Sequence, residues 1–470
     1  MSLNQFKIFS VSVISFLIIG NSYAQNAFNK MLDMDSIYRN NTSLRSLDSL
    51  FKSVPQSGLD TSFTNPFGKA EVISLDQMIY FARMKNPDLE GMDYKIDALR
   101  TYGNGGSYLP DPVFSFETDR VSSNFKNIGM INFFMSQQFP YPGKLGLERK
   151  TALQNADMLE MEHHDMETEL INDIKMNYYD LYLVEQKLKI NDENKELLNT
   201  FIAAAESKYS VGEGMQQEVF KSQIEFSRLD NEEKVLQSQK STIQDNLTRL
   251  TRTRIDGNTA VNFGNIDVDY ILKRGSFDFS NVNRDALDQY AFEKRADLKS
   301  IEKKMLMNRT EIEMEKIKKM PDFSVQVGYR ILPLEEHNAF EFMFGISLPF
   351  APWTSGKYDV AEQRSVLNME STWQEYDSKR LEIKNRIDTV LNNLISLKET
   401  VLYYNDILIP QSENSLKSTQ YNYENNRTTL LDLLDSYRML HDAKEMFYEN
   451  ITMYLKMIAE LEKITGMNFK

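Results

Sequence analysis

The sequence has no cysteine in 470 residues. A disulfide framework and a lipidated N-terminal cysteine are therefore both excluded. Histidine is scarce as well, at four. His163 and His164 are adjacent in a long helical stretch and so face different ways, His337 falls in a short polar loop, and His441 stands alone. No catalytic or zinc constellation can be assembled from these spacings, so neither metal nor cofactor is expected. Glycine (19) and proline (12) are sparse for this length, which leaves few breakers and demands long elements. Beyond residue 24 no apolar run reaches the roughly eighteen residues of a spanning helix. Positive charge is also short: 54 Lys and Arg against 68 Asp and Glu give a net charge of −14. That balance argues against nucleic acid as a partner.

What is present begins with a secretory pattern. Lys7 supplies a positive charge, Ile8 to Ile19 an apolar core, and Ser22-Tyr23-Ala24 small residues for cleavage. A core of about twelve residues is short for a membrane anchor, so 1–24 is expected to be a signal peptide. Residues 25–71 form a polar N-terminal extension.

The most telling stretch runs from Phe323 to Lys357. Phe323, Val325, Val327, Tyr329 and Ile331 alternate with Ser324, Gln326, Gly328 and Arg330. After a short loop, Phe340, Phe342, Phe344, Ile346 and Leu348 alternate with Glu341, Met343, Gly345 and Ser347. Period-two alternation of this length predicts strands with one apolar and one polar face, as in a membrane barrel. Phe139 and Tyr141 near the ends of the first strand pair, and Phe350 and Trp353 near the second, suit an interfacial girdle.

The unit occurs twice. Asn86-Pro87-Asp88-Leu89 aligns with Arg295-Ala296-Asp297-Leu298 at an offset of 209 (89 to 298), and Gly143-Lys144 with Gly356-Lys357 at 213 (143 to 356). The first repeat is placed at 72–254, with strands about 112–139 and long helices about 144–252. An inter-repeat linker covers 255–282, and the second repeat covers 283–466, with strands about 323–349 and long helices about 357–465. The long helices carry a coiled-coil period: Ile383, Ile387, Val390, Leu394, Leu397, Val401, Tyr404 and Leu408 alternate spacings of four and three. Pro410 is expected to kink that helix. The predicted fold is mainly α with a small β part: duplicated antiparallel coiled-coil hairpins plus four transmembrane strands per chain.

Two readings can be dismissed on residues. The Gly-Lys pairs are not phosphate loops, because Gln138 and Ala351 hold the first glycine positions and Leu145 and Tyr358 replace Ser/Thr. Pro142, Gly143, Pro352 and Gly356 are better read as exits from strand to helix. The 24 methionines, among them Met130, Met135 and Met343 in the strands, are better read as packing than as a metal-ligand site.

Four strands cannot close a barrel, so strands that enter a membrane require several chains to share one. This architecture resembles the TolC-type outer-membrane efflux proteins over about residues 72–466. Its local motifs are N-P-D-L and R-A-D-L, P-G-K and S-G-K, and the tip Y-x-V-G-x-G at Tyr209–Gly214. The resemblance implies a homotrimer forming a twelve-stranded barrel continued by a helical tube. It implies an outer-membrane location extending into the periplasm, with a periplasmic adaptor and an inner-membrane pump as partners. It implies that the tips (Val211, Gly212, Gly214, Asn425, Asn426) dock the adaptor. It also implies that Asp432 and Asp435, three apart on one helix face, line the closed aperture, and that Tyr423 bonds Glu218 to hold the hairpins shut. Thr428 replaces a basic residue in a second link of that lock. The function implied is a passive exit channel, not an enzyme. The alternative is an exported coiled-coil structural or adhesion protein, for which greasy strand pairs have no use.

Overall fold

The computed structural model describes residues 72–105, 108–121, 128–255, 260–264, 266, 268–272, 279–332 and 338–467. The expected signal peptide, the N-terminal extension and His337 lie outside them.

The chain opens with β1 (Val72–Ser74), α1 (Leu75–Lys85) and α2 (Pro87–Gly105). Ser74 caps α1 through a capping box with Gln77, whose side chain accepts from the Ser74 N–H at 2.9 Å. Strands β2 (Val113–Val121) and β3 (Ile128–Phe139) follow, then α3 (Lys144–Ser210) and α4 (Gln216–Thr251). After β4 (Ala260–Asn262) and the short α5 (Val268–Leu272), the pattern recurs as α6 (Arg284–Lys294), α7 (Ala296–Ile317), β5 (Phe323–Ile331) and β6 (Ala339–Ile346). It ends with α8 (Ser355–Tyr403), α9 (Ile409–Glu424) and α10 (Leu430–Thr465). At 67 residues, α3 is about 100 Å long.

The strand pairs of the two repeats join into one antiparallel sheet, ordered β2-β3-β5-β6. Cross-strand register sorts most of its residues, Phe134 on the polar face being an exception. Phe116 faces Phe133, Phe133 faces Tyr329, Tyr329 faces Phe340, and Val327 faces Phe342. These share one apolar face, and Phe342 and Phe344 on it are 67% and 78% exposed. On the other face Glu117 pairs with Asn132, Asn132 with Arg330, and Gln326 with Met343, while Arg330 and Glu341 form an ion pair. Of the strand methionines, Met130 and Met343 lie on the polar face and Met135 on the apolar one. A Cβ on Gly328 would stand 2.5 Å from the ring of Phe134, which lies across it and would have to move. Strands β2 and β6 are each paired on one side only.

A second, two-stranded sheet pairs β1 with β4 in parallel, tying the stretch between the repeats back to the start of the first. Three-residue strands carry no period for a sequence to display.

The heptad residues form the helical seam. Ile383, Ile387, Val390, Leu394 and Val401 on α8 are buried with Phe447, Ile451, Tyr454 and Leu461 on α10. Ion pairs dress the α3–α10 boundary: Lys175–Glu462, Lys187–Glu449 and Lys456–Asp180 each close at 2.5 Å. Such pairs add little energy where solvated but fix which turn meets which. Ahead of Pro410 the helix widens into a π turn, Tyr404–Leu408, and Pro410 then occupies the first turn of α9. The widened turn accommodates the residue that lacks an N–H.

Candidate functional site: the helical tips

Both hairpins reverse over a few residues, and each reversal needs a left-handed backbone. In the first, Gly212 has φ +77°. Nearby, a Cβ on Gly214 would press on Lys208 Cβ at 3.0 Å. In the second, Asn426 has φ +55°, a conformation asparagine tolerates better than most. Val211 and Met215 stand out from the first tip at 67% and 71% exposure.

The two tips are tied together within one chain, and Lys208 is the tie. Its ammonium donates to the Tyr423 carbonyl and, at 2.6 Å, to Asn426 Oδ1. It also sits 4.0 Å from the centroid of the Tyr423 ring. Asn426 completes the link by donating to Glu213 at 3.1 Å. Tyr423 itself is buried in a four-helix core with Leu198 and Phe201 of α3, Leu229 of α4, and Leu430, Leu433 and Tyr437 of α10. Its hydroxyl is buried with no hydrogen-bond partner in bonding geometry. Burial, then the negative charge of Glu218 and its reach toward the hydroxyl as an acceptor, push the phenol up to about 12. Tyr423 and Glu218 are thus brought together, the acid acting on the phenol although no bond between them meets strict geometry, and Lys208 makes a further contact to the same tyrosine.

Asp432 and Asp435 share a helix face but not a role. Asp432 is the third residue of a capping box. Its carboxylate accepts from the Thr429 hydroxyl at 2.7 Å, the Thr429 N–H at 3.1 Å and the Thr428 hydroxyl at 2.7 Å. Those bonds, with the Thr429 hydroxyl first, hold the carboxyl below the usual range. Thr428, which takes the place of a basic residue in the expected second link, serves this cap. Asp435 is exposed, with its only ion-pair partner among the described residues Arg438 at 3.6 Å.

A link that sequence spacing did not reveal lies one turn further up. Arg438 of α10 donates twice to Glu225 of α4, at 3.0 and 2.7 Å. The Glu225 side chain is only 7% exposed. The bidentate guanidinium is the main reason its carboxyl titrates below the ordinary value.

His441 is not isolated in space. It is buried, its Nδ1 is 2.7 Å from Asn194 Nδ2 of α3, and a ligand atom of its ring lies within 4.8 Å of carboxylates of Glu232 and Glu445. His163 and His164 each face a different carboxylate, Asp93 and Glu167.

At the other end of the helices, the strand exits differ. Gly143 caps α3 at φ +103°, where a Cβ would meet Ile317 at 2.9 Å. Gly356 needs no such freedom: it lies inside the first turn of α8 with open space around it. Pro142 and Pro352 sit in the turns that separate strand from helix. Asp322 binds the exits together, accepting from Tyr141 N–H and Lys144 Nζ at 2.7 Å each, while its own N–H donates to Ser347. Phe350 and Trp353 beyond β6 are 64% and 84% exposed.

No protein-family model matches this sequence, and no curated protein matches it by sequence. Solved structures do. CusC, described through its folding and transmembrane channel formation, superposes with a TM-score of 0.70 at 14% identity, over 84% of this chain and 92% of that one. The outer membrane protein VceC of Vibrio cholerae gives 0.67 at 15% identity, over 84% and 97%. The MtrE outer membrane channel of Neisseria gonorrhoeae, solved in its open state, gives 0.64 at 13%, over 84% and 89%. Among the described residues no helix is long and apolar enough to cross a membrane. The chain has the fold of the TolC-type outer-membrane channels.

Proposed function

We propose that three copies of this chain form a passive exit duct through the outer membrane, extending into the periplasm and closed at its helical tips. The observation that carries this reading is the two-faced sheet with unpaired edges β2 and β6. An open edge in hydrocarbon leaves backbone groups unsatisfied at several kcal/mol each, and four strands cannot close. Three copies would supply twelve, with the aromatic face toward lipid and the face of Glu117, Gln326, Arg330 and Glu341 toward a wet lumen. The exposed Phe350 and Trp353 would lie at the periplasmic membrane interface. A coiled-coil scaffold offers no reason for such a sheet.

The helices would carry the lumen onward, and the tips would dock a periplasmic adaptor belonging to an inner-membrane pump through Val211, Gly212, Gly214, Asn425 and Asn426. Closure would rest on Lys208–Tyr423 and Glu225–Arg438, with Glu218 beside Tyr423. Asp432 and Asp435, repeated three times around an axis, would make rings of carboxylate that attract cations. The chemistry asked of the chain is conduction alone.

The absence of cysteine makes the test direct. Single replacements Phe342→Cys, Phe344→Cys, Gln326→Cys and Met343→Cys are labelled in isolated outer membranes with a charged maleimide. The reading expects the second pair to react and the first pair to be protected until detergent is added. Equal labelling of all four positions would contradict a lipid-facing sheet.

A further inference from the structure

Glu232, His441 and Glu445 are separated by up to 213 residues in sequence, yet each offers a ligand atom within 4.8 Å of the others. His441 and Glu445 are one turn apart on α10 and present the same face, while Glu232 comes from α4 of the other hairpin. We propose that these three side chains form a binding site for a divalent transition-metal ion of the zinc class, which bridges the two hairpins above the tips.

Several observations point the same way. Imidazole with two carboxylates is a donor set suited to such ions, with water completing a fourth position. Donors about 2.0–2.2 Å from zinc stand roughly 3.4 Å apart, so small rotamer changes close the gap. Glu232 makes no hydrogen bond or ion pair among the described residues, although it is half-buried. Lys187 bonds Glu449 at 2.5 Å and stands farther from Glu445, at 3.7 Å, so its charge is shared among the acids of this cluster, Glu232 included, and neutralises them only in part. The ring of His441 is preset: Asn194 holds its Nδ1 and the Tyr437 ring stacks on it at 20°. With the Asn194 amide turned to accept from Nδ1–H, Nε2 is left free for a metal. Tyr437, only 2% exposed, adds a buried hydroxyl without a partner, close enough to Glu225 and Glu232 to feel both charges.

The site lies one turn from Arg438 and two from Glu225, so a bound ion would brace the same α4–α10 boundary as that ion pair. Binding itself does not depend on the chain being a duct; its effect on closure does, resting on the proposed function.

The test uses the detergent-purified full chain, stripped with chelator and titrated with Zn²⁺ by calorimetry and with Co²⁺ by visible absorption. Glu232→Gln removes an unpaired, half-buried ligand and is the safest variant; His441→Gln and Glu445→Gln follow, each checked by circular dichroism. One Zn²⁺ per chain, weakened at least tenfold by Glu232→Gln, with the Co²⁺ d–d bands reduced in parallel, is the expected result. No Zn²⁺ binding below 100 µM (about −5.5 kcal/mol), or binding that Glu232→Gln and His441→Gln leave unchanged, overturns the site. Neither outcome bears on conductance, so the duct is judged separately.

Discussion

Arg438 on α10 donates two hydrogen bonds to Glu225 on α4, at 3.0 and 2.7 Å, across 213 residues of sequence. The acid is buried and the base is 43% exposed. Removing the base leaves a desolvated carboxylate with only the longer contact to Arg228 at 3.4 Å, at a cost of about 1–3 kcal/mol, the half-exposed arginine keeping the figure low. Arg438→Met should lower the melting temperature and raise the resting conductance. Adding Glu225→Leu should recover part of both losses, since no charge is then left buried. An additive double variant would show that the pair is not coupled.

The same pair sets a pH window. The Glu225 carboxyl titrates below its ordinary value, first through the arginine bond. A depressed folded-state pKa contributes stability above the unfolded value, near 4.5, and that stability is lost as pH falls through the folded one. Melting temperature should hold from neutrality to about pH 5 and fall below it. Arg438→Met should flatten that dependence. A wild type and variant with parallel pH curves would assign the acid sensitivity elsewhere.

At the tips, the hydroxyl of Tyr423 and its ring play separate parts. The Tyr423 hydroxyl is held by no hydrogen bond of good geometry, with Glu218 nearby but off line, so Tyr423→Phe should change the melting temperature little or raise it. Lys208→Ala removes the bonds to the Tyr423 carbonyl and Asn426 and the contact with the ring. It should loosen the tips and increase proteolysis at residues 207–216. The opposite order of effects would make the tyrosine–acid bond the closing contact.

Asp432 and Asp435 should likewise part company. Asp435→Asn removes an exposed charge that caps nothing and should reduce cation block while leaving the fold intact. Asp432→Ala also removes the cap on α10, so it should disturb the tip as well as the block. Thr429→Ala, which spares both carboxylates, should cost about 1 kcal/mol and alter stability without altering selectivity. Identical behaviour of Asp435→Asn and Thr429→Ala would remove the carboxylate from the gating mechanism.

What the sequence made legible was local in origin. The alternation at Phe323–Ile331 reports a two-faced strand because its period lies within one element, and the spacing of Ile383, Ile387, Val390 and Leu394 reports a seam for the same reason. Asp432 looked like the member of an acidic pair, while its capping role depended on Thr429 three residues before it, a signal that was present and unread. Glu225–Arg438 and the grouping of Glu232 with His441 and Glu445 were not legible, because they follow from which turn of α4 meets which turn of α10. Gly143 and Gly356 align in sequence yet differ in backbone: the first bends at the close approach of Ile317 and the second sits in an ordinary helical turn.

The central claim is that this chain conducts as an assembly. The decisive measurement is single-channel recording of the detergent-purified protein in a planar bilayer, with the mass of the particle determined beforehand. A three-chain particle giving small, cation-selective steps that multivalent cations block, and larger steps in Arg438→Met, is the result the account requires. A monomeric or non-inserting particle without conductance would contradict it.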